Sequence, residues 1–408
     1  MRAERGWSRR EFVATLGLAG AATAMPAAPA LAMDAGEAGL TPRPKAGPSV
    51  LYLTMPGIDQ GAWRGIVPTY ADGGRWTSLT PGGEFTRWFP GAMAVHPSLD
   101  TLYVAHSEWA PEGRERGGVS GYAIDRVTWQ LEERGAEPLA LSSTDPESLA
   151  VSPDGRWLLV AASGGGAYNV LPIGEDGRLR VVEHVLKMTG GGPWRRSAFP
   201  TKVLFHPAGL LYGSDMAADR IDVISLEGLR TGDAPVVVGR KLFASGSGPA
   251  EMALSPRNDA LFTVTRWRPA IVRVPVDPQR GVLAGDAQRL QLDGRSGGPV
   301  AASPAGDRVY VATQETRVGT HTAMPTRAAT LISVVDVSKP RLGLRLIERV
   351  RVPEITYAQR LLVHGDELLL LGQGGVCAIP LDDGRGRLGE RTHVLTKGHY
   401  SDAVVRTL

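Results

Sequence analysis

LAVSPDGRWLLVAA, residues 149–162, is two short apolar runs joined through Ser-Pro-Asp-Gly. A reversal inside four small or polar residues is the mark of an antiparallel hairpin: proline presets φ at the turn, and glycine accepts the left-handed region that closes it. The unit recurs as MAVHPSLDTLYVAH (93–106), VLFHPAGLLYGSD (203–215), MALSPRNDALFTVT (252–265), VAASPAGDRVYVAT (300–313) and RLLVHGDELLLLGQ (360–373). Its prolines Pro97, Pro153, Pro207, Pro256 and Pro304 stand 56, 54, 49 and 48 residues apart, so each interval has room for two more strands. Stretches such as DRIDVISL and AIVRVPVDPQRGVL supply them, each ending in a polar turn.

Four antiparallel strands repeated at this period make an all-β protein, a β-propeller whose sheet edges are short and protected. A helical solenoid fails, because no 3.6-residue apolar stripe survives the 51 glycines and 30 prolines. The two ends give the blade count. VLYLTMPG (50–57) resembles a second strand lacking its first, and SDAVVRTL (401–408) a first strand lacking its second. Pairing them completes one blade and closes a ring of seven, so loss of the last ten residues is expected to unfold it.

Charge and cysteine content narrow the function. The formal charge is only +3 with both signs mixed along the chain, so nothing points to nucleic acid. The one cysteine, Cys377, lies in the apolar run GGVCAIPL and reads as a core residue. The N-terminal segment holds Arg9 and Arg10, Phe12, a mildly apolar stretch and Ala30-Leu31-Ala32, the order of a twin-arginine export signal over residues 1–32. Residues 33–49 read as a flexible leader and 50–408 as the propeller, exported to the periplasm or beyond, monomeric and without a membrane span.

The stretch LAVSPDGRWLLVAASGGGAYNVLPIGEDGRLRVVEHVLKMTGGGP (149–193) resembles the repeat of the seven-bladed lactonase-type propellers, the family of bacterial 6-phosphogluconolactonase and fungal carboxymuconate cyclase. The likeness extends over nearly all of 50–408. It implies the seven-bladed fold and a lactone or carbohydrate-derived small molecule as substrate. This chain departs from the family at the residues that usually carry the chemistry. Phe199-Pro200-Thr201 stands where the family has His-Pro-His, and Gly248-Pro249-Ala250-Glu251 where it has Gly-Pro-Arg-His. A family glutamate falls at Arg266 and a family arginine near Gln314, while Arg195 and Arg196 are similar to the family's polar loop.

Strand geometry locates a site independently. The first residue of each blade's inner strand and the last residue of its antiparallel neighbour emerge on one face. First positions are Gly91, Glu147, Lys202, Glu251, Pro299, Arg360 and Asp402; last positions are His106, Ser163, Asp215, Arg266, Gln314 and Gln373. On this reading Lys202 and Arg266 polarise a carbonyl and Glu251 guides water, while Glu147, Arg196, Gln314, Arg360 and His106 contact substrate. A Glu251–Arg266 ion pair that only knits the rim is the plainer expectation for those two residues. His96 and His206 precede turn prolines and read as structural. No metal motif occurs and no cofactor is expected. Two functions stay open: a lactone hydrolase or isomerase, and a non-catalytic propeller that binds a ligand or a partner protein.

Overall fold

The computed structural model describes residues 49–55, 65–72, 75–78, 84–85, 89–109, 116–191, 196–315, 329–381, 388–390, 392–395 and 400–407. The export-signal reading, and the leader up to residue 48, lie outside them. The described strands form seven antiparallel sheets. From the axis outward, blade 1 is Asp402–Thr407, Ser49–Met55, Gly65–Asp72 and Arg75–Ser78, with Glu84–Phe85 beside its third strand. Blade 2 is Pro90–Val95, Thr101–Trp109, Arg116–Ile124 and Leu131–Pro138, and blade 3 is Thr144–Val151, Trp157–Gly164, Ala167–Pro172 and His184–Lys187. Blade 4 is Pro200–Phe205, Leu211–Asp215, Arg220–Ser225 and Val236–Leu242, and blade 5 is Pro249–Leu254, Ala260–Thr265, Ala270–Pro275 and Gln288–Gln291. Blade 6 is Ser296–Ala302, Arg308–Gln314, Thr330–Asp336 and Arg345–Val352, and blade 7 is Tyr357–His364, Glu367–Gln373, Gly375–Pro380 and Thr392–Leu395.

Each inner strand packs beside the next, and that of blade 7 beside Asp402–Thr407, so the ring closes. The closing sheet pairs Leu53 with Ala403 and Tyr52 with Val404, the union of chain ends expected from the sequence.

Alternation along the second strands explains the core. In Trp157–Gly164, Leu158 and Val160 face blade 2 while Leu159 and Ala161 face blade 4. Both faces are therefore apolar, which is why these strands read as unbroken hydrophobic runs. The same rule divides the core into seven clusters, one per blade seam. Cys377 is fully buried in the seam between blades 6 and 7.

Polar contacts stitch these seams. Tyr52, Tyr103 and Tyr212, fully buried on second strands, donate to Trp129 O (3.0 Å), Gly177 O (2.7 Å) and Gly281 O (2.7 Å) of the next blade. On the hairpin-turn face, His96 Nδ1 accepts the backbone N–H groups of Ser98 (3.2 Å) and Leu99 (2.9 Å), so its other nitrogen donates to Gly155 O at 2.9 Å. His206 repeats the arrangement with Ala208 N and Asn258 O. These two histidines are interblade latches.

Six of the seven inner strands carry a register shift at the end away from the turns: at Pro90/Met93, opposite Ala161/Ala162, and at Pro200/Lys202, Pro249/Glu251, Gly297/Val300 and Ala358/Arg360. Such bulges insert residues that bend the strand and re-aim the side chains beside them. They fall at one end of the axial channel, where the charged first positions stand.

Candidate active site at the channel mouth

The bulge in Pro200–Phe205 leaves Lys202 opposite Ser214, on the face that looks toward blade 5; that in Pro249–Leu254 leaves Glu251 opposite Val264. Lys202 Nζ and Glu251 Oε2 are 3.4 Å apart, with side chains 15% and 27% exposed. The pair is thus partly shielded yet reachable from solvent. Arg360 Nε stands 3.3 Å from Asp402 Oδ1, joining blade 7 to blade 1 in the same manner. Glu147 is half-buried and accepts from Ser163 Oγ at 3.0 Å.

Arg266 takes a different course from the expected rim pair with Glu251. It lies two residues beyond Val264, where alternation turns it toward blade 6. Its Nη1 donates to Gly297 O (2.9 Å) and its Nη2 to Tyr357 Oη of blade 7 (2.8 Å), the guanidinium carbon standing 5.6 Å from that ring's centroid. Its main chain is braced too: Arg266 N donates to Gly248 O (2.7 Å) and Arg266 O accepts from Gly297 N (2.9 Å). Gly297 is required there, because a Cβ would meet Thr265 O at 2.2 Å. Lys202, not Arg266, is the partner of Glu251.

Three of the other last positions, His106, Gln314 and Asp215, are fully buried. His106 has Nε2 2.9 Å from Ser120 Oγ, and its Nδ1 has no partner among the described residues. Burial lowers its pKa to about 3, so the ring is neutral. Gln314 is fully buried, its amide donating to Thr356 O (3.0 Å) and accepting from Ala358 N (2.8 Å) at the blade 7 bulge. Asp215 Oδ1 accepts Phe199 N (2.8 Å) and Ala218 N (3.1 Å), and its Oδ2 pairs with Arg220 (3.0 Å). Burial raises its pKa. The sequence reading set His106 and Gln314 at an open rim; the structure gives neither any solvent-exposed surface. Side chains on second strands look across at the neighbouring blade, whereas only the inner strand borders the channel.

Arg196 is exposed on the loop before Pro200 and has no partner among the described residues; Arg195 lies outside them. The residue that the sequence reading missed is Tyr357, first in its strand and half-buried at the mouth. Among the described residues no three His, Cys, Asp or Glu side chains are placed to hold a metal ion, and no helix is long and apolar enough to cross a membrane.

Comparison with known proteins places this architecture. The family described as "Lactonase, 7-bladed beta-propeller" matches residues 78–312. A 6-phosphogluconolactonase of Bacillus subtilis (strain 168) is 24% identical over 242 residues, which are 58% of this chain and 64% of that protein. The match thus spans less than two thirds of that relative. Among solved structures, a Bacteroides uniformis protein provisionally described as a 6-phosphogluconolactonase superposes with TM-score 0.74 at 19% identity, covering 88% of this chain and 99% of that one. The periplasmic gluconolactonase of Pseudomonas aeruginosa superposes with TM-score 0.72 at 20% identity, again covering 88% and 99%. At these identities the superpositions speak for the fold alone.

Proposed function

This chain belongs to the seven-bladed β-propeller lactonase family, and on that premise we propose that it is an exported enzyme that hydrolyses a sugar-derived lactone at the channel mouth. The observation that carries the reading is the Lys202–Glu251 pair at 3.4 Å, on adjacent inner strands and open to solvent. Glu251 takes a proton from water as the oxygen attacks the lactone carbonyl. Lys202 and Arg266 present cationic N–H groups to the oxyanion that forms, as preorganised donors do in acyl transfer. Arg360 and Glu147 are the neighbouring charged groups that hydroxyls of the substrate meet, and exposed Arg196 contributes a further cation from the loop above blade 4. His106 and Gln314, buried in seams, support the mouth from behind.

The twin-arginine pattern at Arg9 and Arg10 favours a free sugar lactone over a phosphorylated one, since phosphorylated sugars are held in the cytosol. A second reading, a propeller that binds a ligand without turning it over, draws on the absence of histidine at Phe199-Pro200-Thr201 and Gly248-Pro249-Ala250-Glu251. Hydrolysis of D-glucono-1,5-lactone by the wild type, Lys202→Ala and Glu251→Ala separates the two. The enzyme reading expects a rate above background that both substitutions abolish; equal rates in all three chains leave only the binding reading.

A further inference from the structure

Lactone hydrolysis needs more than a base and an oxyanion partner. As the tetrahedral intermediate collapses, the ring oxygen departs from the acyl carbon, and an alkoxide leaves poorly unless it gains a proton. Lys202 and Arg266 serve the oxyanion and Glu251 removes a proton from water, so the leaving oxygen has no donor among the groups assigned above.

We infer that Tyr357 is that proton donor, held in place for it by Arg266; the inference rests on the lactonase reading of this mouth. Three features of the geometry support it. The Tyr357 oxygen accepts from Arg266 Nη2 at 2.8 Å, which leaves its own O–H free to point elsewhere. Negative charge appearing on that oxygen as the proton departs meets a guanidinium already in hydrogen-bond contact, with no reorganisation needed. The assembly is also rigid. Arg266 is fixed through Gly248 O, Gly297 N and Gly297 O, and Tyr357 stands against Gly372, where a Cβ would approach Tyr357 O to 1.9 Å.

Placement suits the role. Arg266 emerges on the same face of blade 5 as Glu251, crosses the glycines of blade 6, and meets Tyr357 three residues before Arg360 on blade 7. Base and acid thus approach a bound ring from different blades. The step balances: water adds to the carbonyl carbon and gives one proton to Glu251. The bond from acyl carbon to ring oxygen then breaks, and that oxygen takes the Tyr357 proton. The hydroxy acid leaves, and the proton on Glu251 returns through solvent to the Tyr357 oxygen.

The test compares two lactones with different leaving groups. D-Glucono-1,5-lactone expels an alkoxide, which needs a proton; dihydrocoumarin expels a phenolate, which does not. Tyr357→Phe is expected to lower kcat on gluconolactone about 10²-fold, the usual worth of a general acid, and to leave kcat on dihydrocoumarin within about twofold, since the acid has nothing to supply there. A purely structural tyrosine predicts equal losses on both. Equal losses, or no loss on either, overturn the proposal. Should the phenylalanine chain fail to fold, 3,5-difluorotyrosine at position 357 keeps the hydroxyl and should move the alkaline limb of the gluconolactone rate to lower pH; an unmoved limb overturns it as well. A wild-type protein inert on both lactones defeats the lactonase reading itself, an outcome seen before any variant is made.

Discussion

The Asp402 carboxylate accepts the backbone N–H of Met93 at 2.7 Å, across 309 residues of sequence. Its other oxygen accepts Ala403 N at 2.8 Å and stands 3.3 Å from Arg360 Nε, so one side chain ties blades 7, 1 and 2 together. Thr54 reinforces the junction by donating to Gly91 O at 2.9 Å. Asp402→Ala leaves Met93 N without its acceptor in a buried setting. The expected loss is about 2–4 kcal/mol, the cost of orphaning a charge-assisted bond together with an ion pair. Removal of residues 401–408 strips the inner strand from blade 1 and should abolish cooperative unfolding. Urea denaturation followed by circular dichroism checks both; a truncated chain with a wild-type midpoint refutes the closure argument.

The tyrosine staples are expected to contribute about equally. Tyr103→Phe and Tyr212→Phe each retain the ring and lose a buried bond to Gly177 O or Gly281 O, so each should cost about 1–2 kcal/mol. The sites lie in different seams, 2/3 and 4/5. The double variant should therefore lose the sum of the two single losses. Denaturant midpoints measure this directly, and a double loss well below the sum means the staples do not act independently.

Acid should weaken the fold well before most carboxylates titrate. His106 has its pKa lowered to about 3 by burial, while an unfolded histidine titrates at 6.5. Its neutral-state stability is thus complete above 6.5 and is lost as pH falls from 6.5 toward 3, because only the unfolded chain takes up the proton. The slope is about 1.4 kcal/mol per pH unit. His96, also lowered by burial, acts in the same direction. Asp215 has the opposite sign: raised by burial, it takes its proton first in the folded chain and returns some stability as pH falls through its folded pKa toward 3.8. Between pH 6.5 and 5 the histidine effect dominates. Stability should fall by about 2 kcal/mol from His106 alone, and His106→Gln should remove that share. A pH series of urea titrations on both chains decides it.

Much of this was readable from the sequence, and the unread part has two origins, the bulges of the inner strands and the sideways orientation of the second ones. Hairpins, blade count and the pairing of the two terminal segments follow from proline spacing and two half-units at the chain ends, because both are set by local turn chemistry and strand period; the register, Leu53 with Ala403, comes from the structure. Lys202, Glu251 and Arg360 were legible as mouth residues because charge at the head of a buried strand has few other places to go. The bulges were not legible: inserting residues at Ala250 or Gln359 needs no unusual side chain, yet it decides which way Glu251 and Arg360 point. His106 and Gln314 were misplaced for a different reason: they stand on second strands, whose side chains look into the seams, and Arg266, just past such a strand, reaches Tyr357 of blade 7. Tyr357 itself follows Thr356 in an unremarkable strand head, and only the three-dimensional path of Arg266 over Gly297 singles it out.

Activity and stability should separate at the Lys202–Glu251 pair. Partial exposure of both side chains keeps water close to them, so the ion pair contributes only about 0.2–1 kcal/mol to the fold. Lys202→Met and Glu251→Gln should each shift the unfolding free energy by less than about 1 kcal/mol. On the proposed mechanism their effect on lactone turnover should be far larger, about 10²-fold or more for either, since each would remove a group acting in the transition state rather than one that holds the ground state. The double variant should lose little more activity than the worse single one, because base and oxyanion partner serve one step and their losses do not add. Kinetics and denaturation on the same preparations read both quantities. If the single substitutions each cost several kcal/mol of stability and activity falls only in proportion to the unfolded fraction, the pair is a structural clamp between blades 4 and 5 and the chemistry lies elsewhere on the ring.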